Sequence, residues 1–226
     1  MIAVSCPYSG NAFCRSLEPG LLQRLCGGCR IKKYAAGQRL SMHYWDGYLA
    51  VLLDGLTIAG EPDPSGNSKL ITCGIASGGT IIAAGHLNNV HLPSEVPFEV
   101  LCLIDCAVAV FNGALIMELL NSNIPFMKTV FQQKMHFCGM ETNRFLRETA
   151  GKDAYAAVRF VLQYCAEHNL PPLTHQQIAL ICNRRRPTVT EVMHKLIQNE
   201  PELFQNVILI SDRVGIIEGL WYNTRG

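Results

Sequence analysis

The sequence predicts an α+β fold built from two unlike halves, and three observations carry the prediction. Between about Cys29 and Phe111, short apolar β-rich runs alternate with Gly, Pro, Asp and Asn, the pattern of an all-β roll or barrel. From about Leu115 onward, apolar residues recur at helical spacing. Near the C-terminus two short helical runs flank a tight basic segment, and a strand-like tail follows.

The chain has 226 residues, 49% apolar and 16% charged, a globular composition with room for one large domain or two small ones. Its formal net charge is +1, so any attraction to a polyanion must come from a local patch. The start, "MIAVSCPYSG", has neither the basic region nor the apolar core of a signal peptide. Apolar runs such as "EVLCLIDCAVAVF" are too short for a membrane span. A cytoplasmic location and no membrane partner are expected. The ten cysteines would then be mostly reduced thiols.

In chain order, "SLEPGLLQRLC" has Leu17, Leu21, Leu22 and Leu25 at helical spacing. The runs "LAVLLDGLTIAGE", "KLITCGIASGGTIIAAG" and "FEVLCLIDCAVAVF" read as β-structure, with "EPDPSGNSK" as a hairpin turn. In "IPFMKTVFQQKMHFCGMETNRFLRE" only Gly139 breaks the pattern after Pro125. There Met127, Phe131, Met135, Cys138, Phe145 and Leu146 fall near one stripe. The stripe alone favours a core helix; the alternative is a helix that pairs with its twin in a dimer. "TAGKD" then interrupts the pattern as a candidate hinge, "AYAAVRFVLQYCAEHN" is another helix, and "LPP" stops it. "VILISDRVGIIEG" reads as two strands around Asp212–Arg213. The resulting division is 1–122 for a β-roll sensor, 123–150 for a central helix and 151–226 for a C-terminal domain.

The segment "LTHQQIALICNRRRPTVTEVMHKLI" carries the chemistry. Thr174 and Gln177 have capping-box spacing, in which the hydroxyl accepts from the third helical N–H and the glutamine reaches back. Asn183 suits the left-handed backbone of a sharp turn. Pro187 fits the first turn of a second helix. Val189, Val192, Met193, Leu196 and Ile197 form its apolar face, opposite Thr188, Glu191, His194 and Lys195. This is a helix-turn-helix with arginines at the start of its second helix, the end that enters a major groove. Arginine suits both phosphate contact and bidentate reading of guanine.

The whole, from about Cys14 to the end, resembles the Crp–Fnr superfamily, the cyclic-AMP receptor protein and its relatives. The most specific segment is "LTHQQIALICNRRRPTVTEVMHKL"; "CRIKKYAAGQRL" and "LLDGLTIAGE" resemble the family's first strands. The resemblance implies a cyclic-nucleotide-binding-like β-roll, a long central dimerisation helix and a winged helix-turn-helix. It also implies a homodimeric transcription regulator on a near-palindromic site in double-stranded DNA, with RNA polymerase as a further partner. Carried over by residue, Thr174, His175, Gln176, Arg185 and Thr188 fall on phosphate contacts. Arg186 falls on the arginine that reads a guanine. Pro187 stands where the cyclic-AMP receptor has a base-reading glutamate, and Glu191 where it has an arginine. Arg184 and Lys195 complete the expected DNA-binding set. Glutamate favours a cytosine amino group and repels phosphate, so a different operator is expected.

The same resemblance places the effector cassette on "GHLNNVHLPSEVPFEVLCLIDC". His86 replaces the ribose-binding glutamate, and Val96 and Pro97 replace the arginine and serine that hold the cyclic phosphate. Without that cation a buried phosphate is costly, so neither cyclic AMP nor cyclic GMP is the expected effector. The pocket candidates are Gly85, His86, Leu87, Val96 and Pro97.

Cys26 and Cys29 form a C-x-x-C, and Cys6 and Cys14 precede them. Such a set suits zinc, an iron–sulfur cluster or a redox pair. The expectation is structural thiols and no firm cofactor, with an iron–sulfur or thiol-based redox sensor using Cys6, Cys14, Cys26 and Cys29 as the alternative. A thiol oxidoreductase using "CGGC" lacks the strand–CxxC–helix context it needs. No catalytic constellation is present, so a non-enzymatic role is expected. Cys73, Cys102, Cys106, Cys138, Cys165 and Cys182 are expected in the core; only if Cys138 instead lies on a dimer seam would an intersubunit disulfide form there on oxidation. His43, His86 and His91 are expected as solvent-facing or hydrogen-bonded residues rather than haem ligands.

Overall fold

Burial on one or both faces explains the β-rich half. In the computed structural model, which describes residues 6–41, 49–64, 70–84 and 99–204, each of the three apolar runs is two strands joined at a corner. β3 (Leu49–Asp54) and β4 (Leu56–Pro62) come from the first run, β5 (Leu70–Ser77) and β6 (Thr80–Ala84) from the second, β7 (Glu99–Cys102) and β8 (Cys106–Phe111) from the third. With β1 (Cys29–Tyr34) and β2 (Arg39–Ser41) they form two four-stranded antiparallel sheets, β1-β8-β3-β6 and β2-β7-β4-β5. Each run therefore crosses from one sheet to the other. At the first corner Gly55 has φ +104°, and a Cβ there would lie 2.6 Å from Cys106 Sγ; only glycine fits.

Strands β3 and β8 read as unbroken apolar runs because both of their faces are covered. Ala50 and Leu52, with Cys106, Val108 and Val110, face Leu40, Ala76, Val100 and Cys102 in a core between the sheets. Leu49, Val51 and Leu53, with Ala107, Ala109 and Phe111, face a second core made with helices. Those helices are α1 (Ala12–Arg15), α2 (Pro19–Gly27), α3 (Gly113–Ser122) and α4 (Ile124–Met135), which supply Phe13, Leu25, Ile116, Leu119, Phe126 and Val130. The turn read from "EPDPSGNSK" joins β4 to β5, whose ends pair Pro62 with Leu70; residues 65–69 lie outside the description.

The stripe on the central helix divides. Phe126 and Val130 are the face that enters the core. Met127, Phe131 and Met135 project the other way, with Phe131 64% and Met135 53% exposed. The core-helix reading is thus corrected for these residues, because α4 has two apolar faces and the roll covers only one. Phe145 is buried and Leu146 exposed. Gly139 does not end the helix. It sits in a π-helical segment, His136–Glu141, that runs on into α5 (Thr142–Thr149). The wider turn is closed by side chains: Thr142 Oγ1 donates to Phe137 O at 3.0 Å, and Asn143 Nδ2 donates to Gly139 O.

The chain divides into two compact units, Met1–Asn143 and Arg144–Gly226. In the second, α6 (Ala154–Glu167), α7 (His175–Ile181) and α8 (Arg186–Asn199) pack on one another. Val158, Val161 and Cys165 of α6, Ile178 and Ile181 of α7, and Val189, Met193 and Leu196 of α8 are buried. Each fully buried aliphatic side chain contributes about 1.5–3 kcal/mol relative to exposure. The predicted wing strands, within 207–219, lie outside the described residues, as do His43, His86 and His91. No helix among the described residues is long and apolar enough to cross a membrane.

Candidate nucleic-acid interface

Local rules fix the ends of the two-helix motif. Thr174 Oγ1 accepts from Gln177 N at 3.2 Å, and Gln177 Oε1 accepts from Thr174 N at 2.7 Å, a complete capping box. Asn183 has φ +52°, so the turn uses the left-handed conformation that asparagine tolerates. The backbone N–H of Arg184 closes the turn on Ala179 O at 2.9 Å. Arg185 is the N-cap of α8 with no side-chain cap bond, and Pro187 lies in the first turn.

The first turn of α8 therefore presents open backbone N–H groups and the positive end of the helix dipole. Arg185, Arg186 and Pro187 are exposed there, with Thr188 half-buried and Glu191 and Lys195 exposed further along the same helix. Among the described residues the ion pairs of this unit are Arg144–Glu167, Arg147–Glu148 and Arg159–Glu200, which leave out Arg185 and Arg186. Thr174 and Gln176 are exposed at the start of α7. The exposed guanidinium groups and open backbone donors at the start of α8 fit an anion such as a phosphodiester.

His175 is half-buried and ties the helices together. Its Nδ1 lies 3.0 Å from Thr190 Oγ1, and Thr190 donates to Arg186 O at 3.2 Å. With its hydrogen on that carbonyl, the hydroxyl accepts from Nδ1–H. Burial first, then the nearby Arg186 and His194, hold the imidazole below its ordinary pKa. At the far end of α8, Glu200 accepts from Arg159 Nε at 2.6 Å and from Tyr155 at 2.8 Å, which anchors it to α6.

Arg184 differs from its neighbours in the basic triplet. Its guanidinium donates inward, to Lys152 O at 2.9 Å and Thr149 O at 3.4 Å.

In the first unit, α2 ends at Gly27 and β1 begins at Cys29, so "CGGC" spans a helix end and a strand start. Cys29 Sγ donates to Cys26 O at 3.4 Å. Burial chiefly raises the thiol pKa values of Cys14, Cys26 and Cys29, and the other N-terminal thiols add to it. A metal ligand must be a thiolate, and no group of three or more His, Cys, Asp or Glu among the described residues is placed to hold a metal ion. Cys102, Cys106, Cys165 and Cys182 are buried, and burial pushes Cys165 and Cys182 up to about 12. Cys73 is corrected from core to half-buried; its thiol donates to Ala59 O at 3.3 Å. The Cys138 side chain lies outside the described residues, as do the pocket candidates Gly85, His86, Leu87, Val96 and Pro97.

Solved structures match this fold. One is a Eubacterium rectale chain assigned to the Crp/Fnr family of transcriptional regulators, with TM-score 0.59, 10% identity, 84% of this chain and 88% of that chain covered. The fold is that of the Crp–Fnr regulators. A cyclic nucleotide-binding domain protein from Listeria monocytogenes matches the same Crp–Fnr-like fold with TM-score 0.61, 11% identity, and 80% and 89% of the two chains. The c-di-GMP responsive global regulator CLP of Xanthomonas campestris matches with TM-score 0.58, 14% identity, and 80% and 93% coverage. No protein-family model matches the sequence, and no curated protein matches it.

Three features of the Crp–Fnr-like motif escaped sequence reading. The inward turn of Arg184 had no signal, since three adjacent arginines look alike in one dimension. Asn169 also has φ +52°, foreshadowed only by the asparagine before "LPP". The Arg159–Glu200–Tyr155 anchor joins positions too far apart for helical spacing to expose.

Proposed function

We propose that the chain is a homodimeric, sequence-specific DNA-binding transcription regulator with no enzymatic activity, which answers to a small-molecule or redox signal other than cyclic AMP. The observation that carries the reading is the start of α8, where exposed Arg185 and Arg186 flank an uncapped first turn on a helix buried along its other face. In this reading Arg186 reads a base. Thr174, His175, Gln176, Arg185, Thr188 and Lys195 engage phosphates or sugars, and Pro187 and Glu191 alter the preferred half-site.

The exposed face of α4, with Ile124, Met127, Phe131 and Met135, supports pairing with a second copy. An apolar stripe of this kind is costly to leave in water. Two reading heads on one dimer would meet a near-palindromic operator in half-sites about one helical turn apart. The sensor region comprises the roll of 1–122, the central helix 123–150 carries the dimer seam, and 151–226 binds DNA. Replacement of the phosphate-binding pair by Val96 and Pro97 argues for an effector that is not a cyclic mononucleotide; CLP is described as responding to c-di-GMP.

Titration of a generic duplex with the full chain at several salt concentrations tests the interface. Binding whose logarithm falls linearly with log salt, and is weakened by R185A and R186A, is expected. Binding indifferent to both substitutions would place the contact elsewhere and overturn the assignment.

A further inference from the structure

The segment Thr149–Asp153 separates α5 from α6 and reads from its sequence as a hinge. Its backbone is nevertheless held at both ends. Asp153 caps α6 by accepting from Ala156 N at 2.8 Å. Thr149 is buried, and its hydroxyl donates to Phe145 O at 2.8 Å. Arg184 then reaches from the turn between α7 and α8 to the carbonyls of Thr149 and Lys152. Those carbonyls lie at and just past the C-terminus of α5, where helix-end acceptors are open and the dipole favours a cation. On the same stretch Arg144 pairs with Glu167 of α6 at 3.2 Å and lies over the Phe160 ring at 5.4 Å.

We propose that Arg184 is a positioning residue and not a DNA contact: it latches the helix-turn-helix to the last turn of α5, so that the reading head and residues from Arg144 onward turn as one body. The two bonds are charge-assisted and their acceptors are main-chain atoms, so the latch is indifferent to the side chains it grips. The segment 149–153 is then a rigid corner, and bending belongs before Arg144. The π-helical turn at His136–Glu141, with Gly139 open on its surface, is the nearest irregularity on that side. The role in DNA binding rests on the proposed function, but the latch itself does not.

Two readouts test it on the full chain. Hydrogen exchange of the free protein needs no DNA. In R184Q, exchange in the peptide covering 146–153 should rise roughly tenfold or more, while α7 and α8 keep their protection; R184K should restore part of it. Unchanged exchange at 146–153, or acceleration throughout α6–α8, would overturn the latch. On a bound duplex, R184Q should leave the salt slope unchanged while relaxing the preference for one half-site spacing. A slope reduced by about 1 would make Arg184 a phosphate contact and refute the proposal. If no duplex binds, the proposed function fails, and the exchange measurement still decides the latch.

Discussion

The imidazole Nδ1 of His175 and the hydroxyl of Thr190 lie 3.0 Å apart, which links the first residue of α7 to the first turns of α8. Burial, Arg186 and His194 favour the neutral ring. The folded protein therefore binds a proton at His175 less readily than the unfolded chain does. Stability from this group is fully present above the unfolded histidine pKa of about 6.5 and is lost as pH falls through and below it. A phosphate beside the ring would act the other way and favour the charged form. DNA binding should thus take up a proton at His175 and tighten as pH falls. Binding isotherms between pH 5.5 and 8 check this; H175Q should flatten the dependence.

Arg186 is expected to discriminate between bases. On a matched operator, R186A should cost about 1–3 kcal/mol and relax preference at one base pair of each half-site. R185A should weaken matched and mismatched duplexes alike. Competition titrations with single-base variants separate the two behaviours.

The turn at Asn183 has a definite energetic order. An alanine would meet the left-handed backbone without asparagine's tolerance, at a cost of about 1–2 kcal/mol. N183G should cost less than N183A. Denaturant unfolding of the three chains gives the order directly, and equal stabilities would contradict the role given to φ at this position.

Phe131 tests the exposed face of α4. Because it is 64% exposed, F131E should leave the fold intact. In a dimer it would remove about 1.5–3 kcal/mol of apolar burial per chain and place two carboxylates together. Sedimentation should show a dimer for the unmodified chain and a shift toward monomer for F131E; identical profiles would remove this face from the seam.

Much of the motif was legible because its signals are local. Thr174 and Gln177, Asn183 and Pro187 each act within a few residues, and the structure places them as capping box, left-handed turn and first helical turn. The roll was legible as β-structure but not as corners, because alternation fails where both faces of β3 and β8 are buried. Only the glycines at the run centres, such as Gly55, hinted at the crossings between sheets. The central helix misled in another way. Its periodicity marked an apolar stripe but not which stripe the roll would cover, since Val130 and Phe131 are neighbours that end in opposite environments. Arg184 shows the limit plainly: its partners are carbonyls more than thirty residues away, and a carbonyl leaves no trace in the side-chain sequence.

The most direct test of the central claim is selection of DNA fragments by the purified full chain under anaerobic conditions, followed by sequencing of what is retained. The account predicts enrichment of a near-palindrome with half-sites about one helical turn apart, and loss of that enrichment in R186A. Retention without any shared sequence, unchanged in R186A, would contradict a reading head built on the start of α8.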